Sequence, residues 1–183
     1  MDEPFLAALA RIASALERLA PVAPPSPNFD EARLFRHDPT SGAFLPAPDY
    51  SLSLDLLVGV DRQKARVMEA LERFAAGRPA NHILLWGVRG TGKSSLAKAA
   101  FMAVSAESPD LKLIEVDRDG VGALPGVFDF LRGQPRRFIV LCDDLSFEEG
   151  AAAAKALKSA LEGGVAGPPE NAQEVMNLNG SET

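Results

Sequence analysis

Apolar positions in the first twenty residues (Phe5, Leu9, Ile12, Leu16 and Leu19) recur every three or four places. That spacing predicts one amphipathic helix over residues 1–20. Its stripe packs either on the protein's own body or on another subunit or partner, because a lone helix this short is marginal in water. The pattern stops at PVAPPSPN, whose four prolines make residues 21–28 an extended linker. Residues 29–56 keep no sustained period and carry the turn-like HDPTSG and PAPD. Short extended pieces in an irregular extension are expected there.

From residue 57 the pattern sharpens. LVGVD reads as a glycine turn with Asp61 as N-cap, opening a helix that buries Val67, Leu71 and Phe74. AAGRPAN ends it. HILLW, running into Gly87, suits a buried strand, with Trp86 read as core. Lys93 to Ser105 reads as helix, LKLIEV as a second strand, and LPGVFDFLR as a short helix that tolerates Pro125 in its first turn. FIVLC is a third apolar strand and runs into Asp143 and Asp144. Ser146 with Glu149 forms a capping box for a helix over EEGAAAAKALKSALE, stopped at Gly163 and Gly164. Glu148 and Glu149 at its start, and Lys155 and Lys158 further on, suit the helix dipole. Strands and helices that alternate in this way predict an α/β core over residues 57–171, a parallel sheet with helices on both faces.

Composition adds limits. The chain has 183 residues, 46% apolar and 24% charged, which is ordinary for a globular domain. A net charge of −6 argues against a surface built for nucleic-acid phosphates, though a local basic patch remains open. The single cysteine, Cys142, allows no internal disulfide, which fits a reducing compartment. No run approaches the ~18 apolar residues of a membrane span. The acidic start, with Arg11, Glu17 and Arg18 breaking the apolar run, does not read as a signal peptide, so a cytoplasmic location is expected.

GVRGTGKS at 87–94 fits G-x-x-x-x-G-K-[ST] between an expected strand and an expected helix. Gly87, Gly90 and Gly92 allow a tight turn that brings main-chain N–H groups up to phosphate oxygens. The helix start points its free N–H groups and positive dipole end the same way. Lys93 supplies a charge for the terminal phosphates, and Ser94 a hydroxyl for magnesium. Thr91 and Ser95 offer further hydroxyls; Val88 and Arg89 lie within the loop, and the role of Arg89 is open. A phosphate-bound magnesium needs a carboxylate at the end of a neighbouring strand, and Asp143 is placed for it. Asp144 is the candidate for orienting an attacking water. Val58 and Gly59, with Val60, offer an apolar approach for an adenine ring. His37 and His82 have no metal-ligand spacing, Cys142 reads as a small buried apolar residue, and Arg132, Arg136 and Arg137 read as solvated loop charge.

LVGVDRQK, WGVRGTGKSSLAKA, IEVDRDG, FIVLCDDLSFEEG and ALKSALEGG together resemble the AAA+ ATPases. Within them, roughly residues 50–171 are similar to the bacterial ATP-binding proteins of domain-of-unknown-function family 815. The resemblance implies an ATP-binding core with a Walker A loop at 87–94 and a Walker B strand ending at Asp143 and Asp144. It also implies bound Mg2+, and assembly into a ring or partial ring that remodels a protein or nucleic-acid partner. In that family a further strand with a polar sensor residue follows the GG stop, and an arginine finger and a helical lid come after it. PENAQEVMNLNGSET shows no apolar strand run, so the sensor strand and lid are expected to be absent and residues 172–183 to be a disordered tail. The Walker strands would then face a gap of ~9–10 Å. The abrupt change of composition after Asn171 favours a frameshift or truncation over a genuine short variant. An ATPase core is the first reading, a non-hydrolysing nucleotide-binding or interaction module the second. A small P-loop kinase, the third, lacks an acceptor site and lid arginines.

Overall fold

A computed structural model describes residues 26–146 and 169–179, together with Phe5 and Arg11. The expected N-terminal helix, apart from the exposed Phe5 and Arg11, and the helix expected after Ser146 lie outside the described residues. The strands are β1 (Leu34–His37), β2 (Phe44–Ala47), β3 (Ile83–Gly87), β4 (Leu111–Val116), β5 (Arg137–Ser146) and β6 (Ala172–Asn179). The helices are α1 (Asp61–Ala75), α2 (Lys93–Glu107) and α3 (Leu124–Arg132). Among the described residues the six strands form one sheet in the order β2-β1-β4-β5-β6-β3, parallel except for the β1–β2 hairpin.

The sheet separates two cores. On one face α1 contributes Val67, Leu71 and Phe74, the stripe expected from its period. They pack with Leu96, Ala97, Ala100, Phe101 and Val104 of α2 against Leu113, Ile139, Leu141 and Val175. On the other face Val127, Phe128 and Leu131 of α3 pack on Ile114, Val140, Cys142 and Met176. Leu113 and Ile114, adjacent in β4, go to opposite cores, as the period-two geometry of a strand requires. A sheet buried on both sides explains why FIVLC in β5 reads as a continuous apolar run, whereas LKLIEV in β4 alternates through Lys112 and Glu115. Among the described helices, none is long and apolar enough to cross a membrane.

Residues 29–56 are joined to this sheet. β1 pairs in parallel with β4, and Phe29 sits edge-on to Phe35 and Phe138 at 5.1 and 4.9 Å. Arg136 bridges Asp30 and Asp110, and Arg137 lies over the Phe74 ring at 5.2 Å. These two arginines are therefore fixed structural contacts rather than solvated loop charge.

The tail differs most from expectation: the sequence predicts residues 172–183 to be disordered and the sensor strand to be absent. Ala172–Asn179 is a strand, paired in parallel with β5 on one side and β3 on the other. It fills the position the sequence reading left empty, and seven of its eight residues are buried. Polar residues interrupt its apolar pattern, but the side chains of Gln173, Asn177 and Asn179 find partners across long sequence separations. Gln173 Nε2 donates to the Asn81 carbonyl at 2.7 Å, and Asn177 Nδ2 donates to Ser94 Oγ and Asp143 Oδ1. The Glu174 main-chain N–H donates to His82 Nδ1 at 3.1 Å.

Smaller differences follow the same logic. Asp61 is the first helical residue, behind an N-cap at Val60, and does not itself cap. β3 lies at the sheet edge, so Trp86 is 72% exposed and Leu84 54%, where the sequence predicts burial. β5 does not stop at Asp143 but continues to Ser146, and the helix that Ser146 is expected to cap lies outside the described residues.

Glu174 is buried, neither carboxylate oxygen accepts a hydrogen bond although His82 Nδ1 stands 3.8 Å from Oε2, and burial pushes its pKa up to about 7 from an ordinary 4.5. The folded protein therefore holds a proton that the unfolded chain gives up near pH 4.5. The sign follows: folding stability contributed by this group falls as pH rises from about 4.5 to about 7, then levels. Glu174→Gln removes that slope and stabilises the protein at pH 8 by on the order of 3 kcal/mol. Urea unfolding of both proteins across pH 4.5–8 measures the difference; parallel curves would refute the assignment.

Candidate nucleotide site at the carboxyl end of the sheet

The C-terminal ends of β3, β5 and β6 meet the N-terminus of α2, and the glycine loop, Ser94, Asp143 and Asp144 lie together there. Gly87 closes β3, residues 88–92 turn, and α2 begins at Lys93. Gly90 and Gly92 adopt φ of 83° and 82°, the left-handed region that glycine enters without strain. Gly90 is exposed, and an added Cβ on it would meet nothing within 4 Å. Gly92 is the N-cap of α2 with no side chain to occupy the free N–H groups of the first turn. A helix start of this kind could accept an anionic group.

Lys93 Nζ donates to the carbonyls of Gly87 and Val88, both at 2.9 Å. The ammonium is thereby drawn back across its own loop. Thr91 Oγ1 donates to the Val88 carbonyl at 2.9 Å, a loop-stabilising role. Ser95 Oγ accepts from Tyr50 Oη at 3.0 Å, which ties the N-terminal extension to α2.

Ser94 Oγ donates to Asp143 Oδ1 at 2.6 Å. Asp143 also accepts from Asn177 Nδ2 at 3.0 Å and from the Asp144 N–H at 2.9 Å. Burial works to raise the Asp143 pKa, but the Ser94 hydroxyl, the Asn177 amide, the Asp144 N–H and the charge of Lys98 outweigh it. The net direction is below the usual carboxylate value, so Asp143 is ionised at neutral pH.

A β-bulge sets the second carboxylate. Cys142 pairs with Met176 and Leu145 with Leu178, so Asp143 and Asp144 together oppose the single residue Asn177. An unbroken strand would send Asp144 to the α3 face, where Cys142 lies. The inserted residue gives that place to Leu145 and leaves Asp144 exposed at φ 57°, a conformation aspartate tolerates better than most residues. Asp144 Oδ1 accepts from Asn179 Nδ2 at 2.7 Å, and Oδ2 from Arg89 Nη2 at 3.2 Å.

Asn177 and Asn179 are the functional candidates that the sequence reading missed. They carry no motif of their own; only the insertion of β6 beside β5 places them at the acidic pair. Asn177 Oδ1 is buried and unpartnered. Val58 is 88% exposed and Gly59 has φ 80°, so the glycine turn before α1 presents an apolar surface to solvent. Among the described residues no cluster of three His, Cys, Asp or Glu forms a metal cage. Cys142 is buried, and burial pushes its thiol pKa far up, so it is not a nucleophile.

A glycine loop between an edge strand and a helix, facing acidic residues on a strand two places away, gives the chain an AAA+-like P-loop fold of the α/β class. Residues 30–177 match the family described as "Protein of unknown function (DUF815)", and the chain belongs to that family. Among the solved structures that share the fold are two. One is the Escherichia coli MS115-1 HORMA:CdnC:Trip13 complex, at 19% identity and a TM-score of 0.52, covering 71% of this chain and 56% of that one. The other is the Aeropyrum pernix Orc1 protein in complex with DNA, at 16% identity and a TM-score of 0.52, covering 73% of this chain and 40% of that one. The chain therefore spans about half the length of these structural relatives. No curated protein matches the sequence.

Proposed function

We propose that this chain binds Mg-ATP where β3, β5 and β6 meet α2, and that the intact protein hydrolyses it. The observation that carries this reading is the convergence of Lys93, Ser94, Asp143 and Asp144, from two distant stretches of chain, around an open glycine loop.

The donor set fits the group. Ser94 Oγ and Asp143 Oδ1 are hard oxygens 2.6 Å apart, the ligand type Mg2+ takes alongside phosphate oxygens. When bound, the ion would neutralise charge on the phosphoryl oxygens. Lys93 exchanges two neutral carbonyls for the terminal phosphates, a charge-assisted and stronger partner. Main-chain N–H groups from Val88 to Ser94, Arg89 and Thr91 included, line the phosphate path. Asp144 orients the attacking water, and Asn179 holds its other oxygen in place. Val58 and Gly59 offer the apolar approach for the adenine ring.

An arginine from a neighbouring subunit completing the site, a ring or partial ring, and remodelling of a protein or nucleic-acid partner in the cytoplasm belong to the same proposal. The likeness to AAA+-like folds supports them. The test is phosphate release by the purified chain with Mg2+ and ATP. Release that EDTA abolishes supports a hydrolase; tight ATP binding without release supports the non-hydrolysing module instead.

A further inference from the structure

Arg89 sits at the third position of the glycine loop, where the phosphate-binding pattern demands no particular side chain. It reaches across the mouth of the site to β5. Its Nη2 donates to Asp144 Oδ2, the oxygen that Asn179 leaves unheld. Both partners are accessible: the side chains are 81% and 50% exposed. An ion pair that exposed is weakly held. A guanidinium prefers phosphate, which it can grip with two parallel hydrogen bonds. A triphosphate on this loop and the carboxylate of Asp144 therefore compete for one guanidinium, and the phosphate is the stronger competitor.

We propose that Arg89 reads the terminal phosphate of ATP, passing from Asp144 to the γ-phosphate and thereby releasing Asp144 Oδ2 to accept a hydrogen bond from the attacking water. This rests on the ATP reading above. It makes Arg89 a positioning residue that couples recognition of a triphosphate to arming of the water-orienting carboxylate. ADP, which lacks the third phosphate, leaves the Arg89–Asp144 pair in place. The bulge at Asp143 and Asp144 is what makes the exchange geometrically available, because it turns Asp144 out toward the loop.

Equilibrium binding of Mg-ADP and of the β,γ-imido analogue of Mg-ATP tests this without relying on turnover. Arg89→Ala is expected to weaken the analogue about tenfold and ADP less than about twofold, the loss of one charge-assisted contact. Arg89→Lys recovers part of that loss. Asp144→Asn frees Arg89 beforehand and tightens the analogue about threefold by the same contact energetics, and does so only when Arg89 is present. Equal weakening of both nucleotides in Arg89→Ala, or an Asp144→Asn effect that persists without Arg89, overturns the proposal. Lys93→Ala separates the two levels. If it weakens both nucleotides while Arg89→Ala changes neither, the Arg89 proposal alone fails. If the native protein binds neither nucleotide, the ATP reading falls and this one falls with it.

Discussion

Lys93→Ala weakens Mg-ATP binding at least about 100-fold, close to 2.8 kcal/mol, and leaves the fold intact. The size follows from what the ammonium does. Its two carbonyl acceptors, on Gly87 and Val88, belong to a loop that solvent reaches, so alanine leaves them hydrated rather than buried and unpaired. The folded state therefore loses little. A bound triphosphate loses a full positive charge from the mouth of the site, where hydrogen bonds between ionised partners are about twice as strong as neutral ones. Calorimetric titration measures the affinity, and a thermal melt within about 3 °C of the native protein shows that the fold survived. Unchanged affinity would remove Lys93 from the phosphate site.

Asp144→Asn suppresses ATP turnover about 100- to 1,000-fold while ATP still binds, the range expected when a water-orienting base is lost. Asparagine keeps the shape and can still accept from Asn179, and its tolerance of left-handed backbone suits φ 57°. What it lacks is the charge that draws a proton from water. Asp143→Asn acts differently, because Asp143 is the ionised acceptor for Ser94, Asn177 and the Asp144 N–H. There the loss appears in magnesium dependence as well as in rate. Turnover measured against Mg2+ concentration for both variants separates the roles. An Asp144→Asn protein with native turnover would contradict the assignment.

The glycine loop, α1 with its Val67–Leu71–Phe74 stripe, the alternating β4 and the apolar run of β5 were legible because each carries a local signal, a fixed motif or a period. β6 was not. Its buried Gln173, Glu174 and Asn177 look like tail residues until Asn81, His82, Ser94 and Asp143 are brought beside them. Those partners are 34 to 92 positions away in sequence, so no local window contains the information.

Two further features depend on topology in the same way. Trp86 is apolar and lies in an apolar strand, yet its exposure is decided by β3 standing at the edge of the sheet. The pair Asp143–Asp144 is visible as two carboxylates, but two consecutive strand residues ordinarily face opposite ways. Only the bulge against Asn177 turns both to one site, and nothing in FIVLCDD announces it.

The most direct measurement is a crystal structure of the protein with Mg2+ and the β,γ-imido analogue of ATP. The account predicts the triphosphate against the main-chain amides of residues 88–94, Lys93 Nζ moved off the Gly87 and Val88 carbonyls onto phosphate, and the metal between Ser94 and Asp143. A triphosphate bound elsewhere, or Lys93 still on its own loop beneath a bound nucleotide, would contradict it.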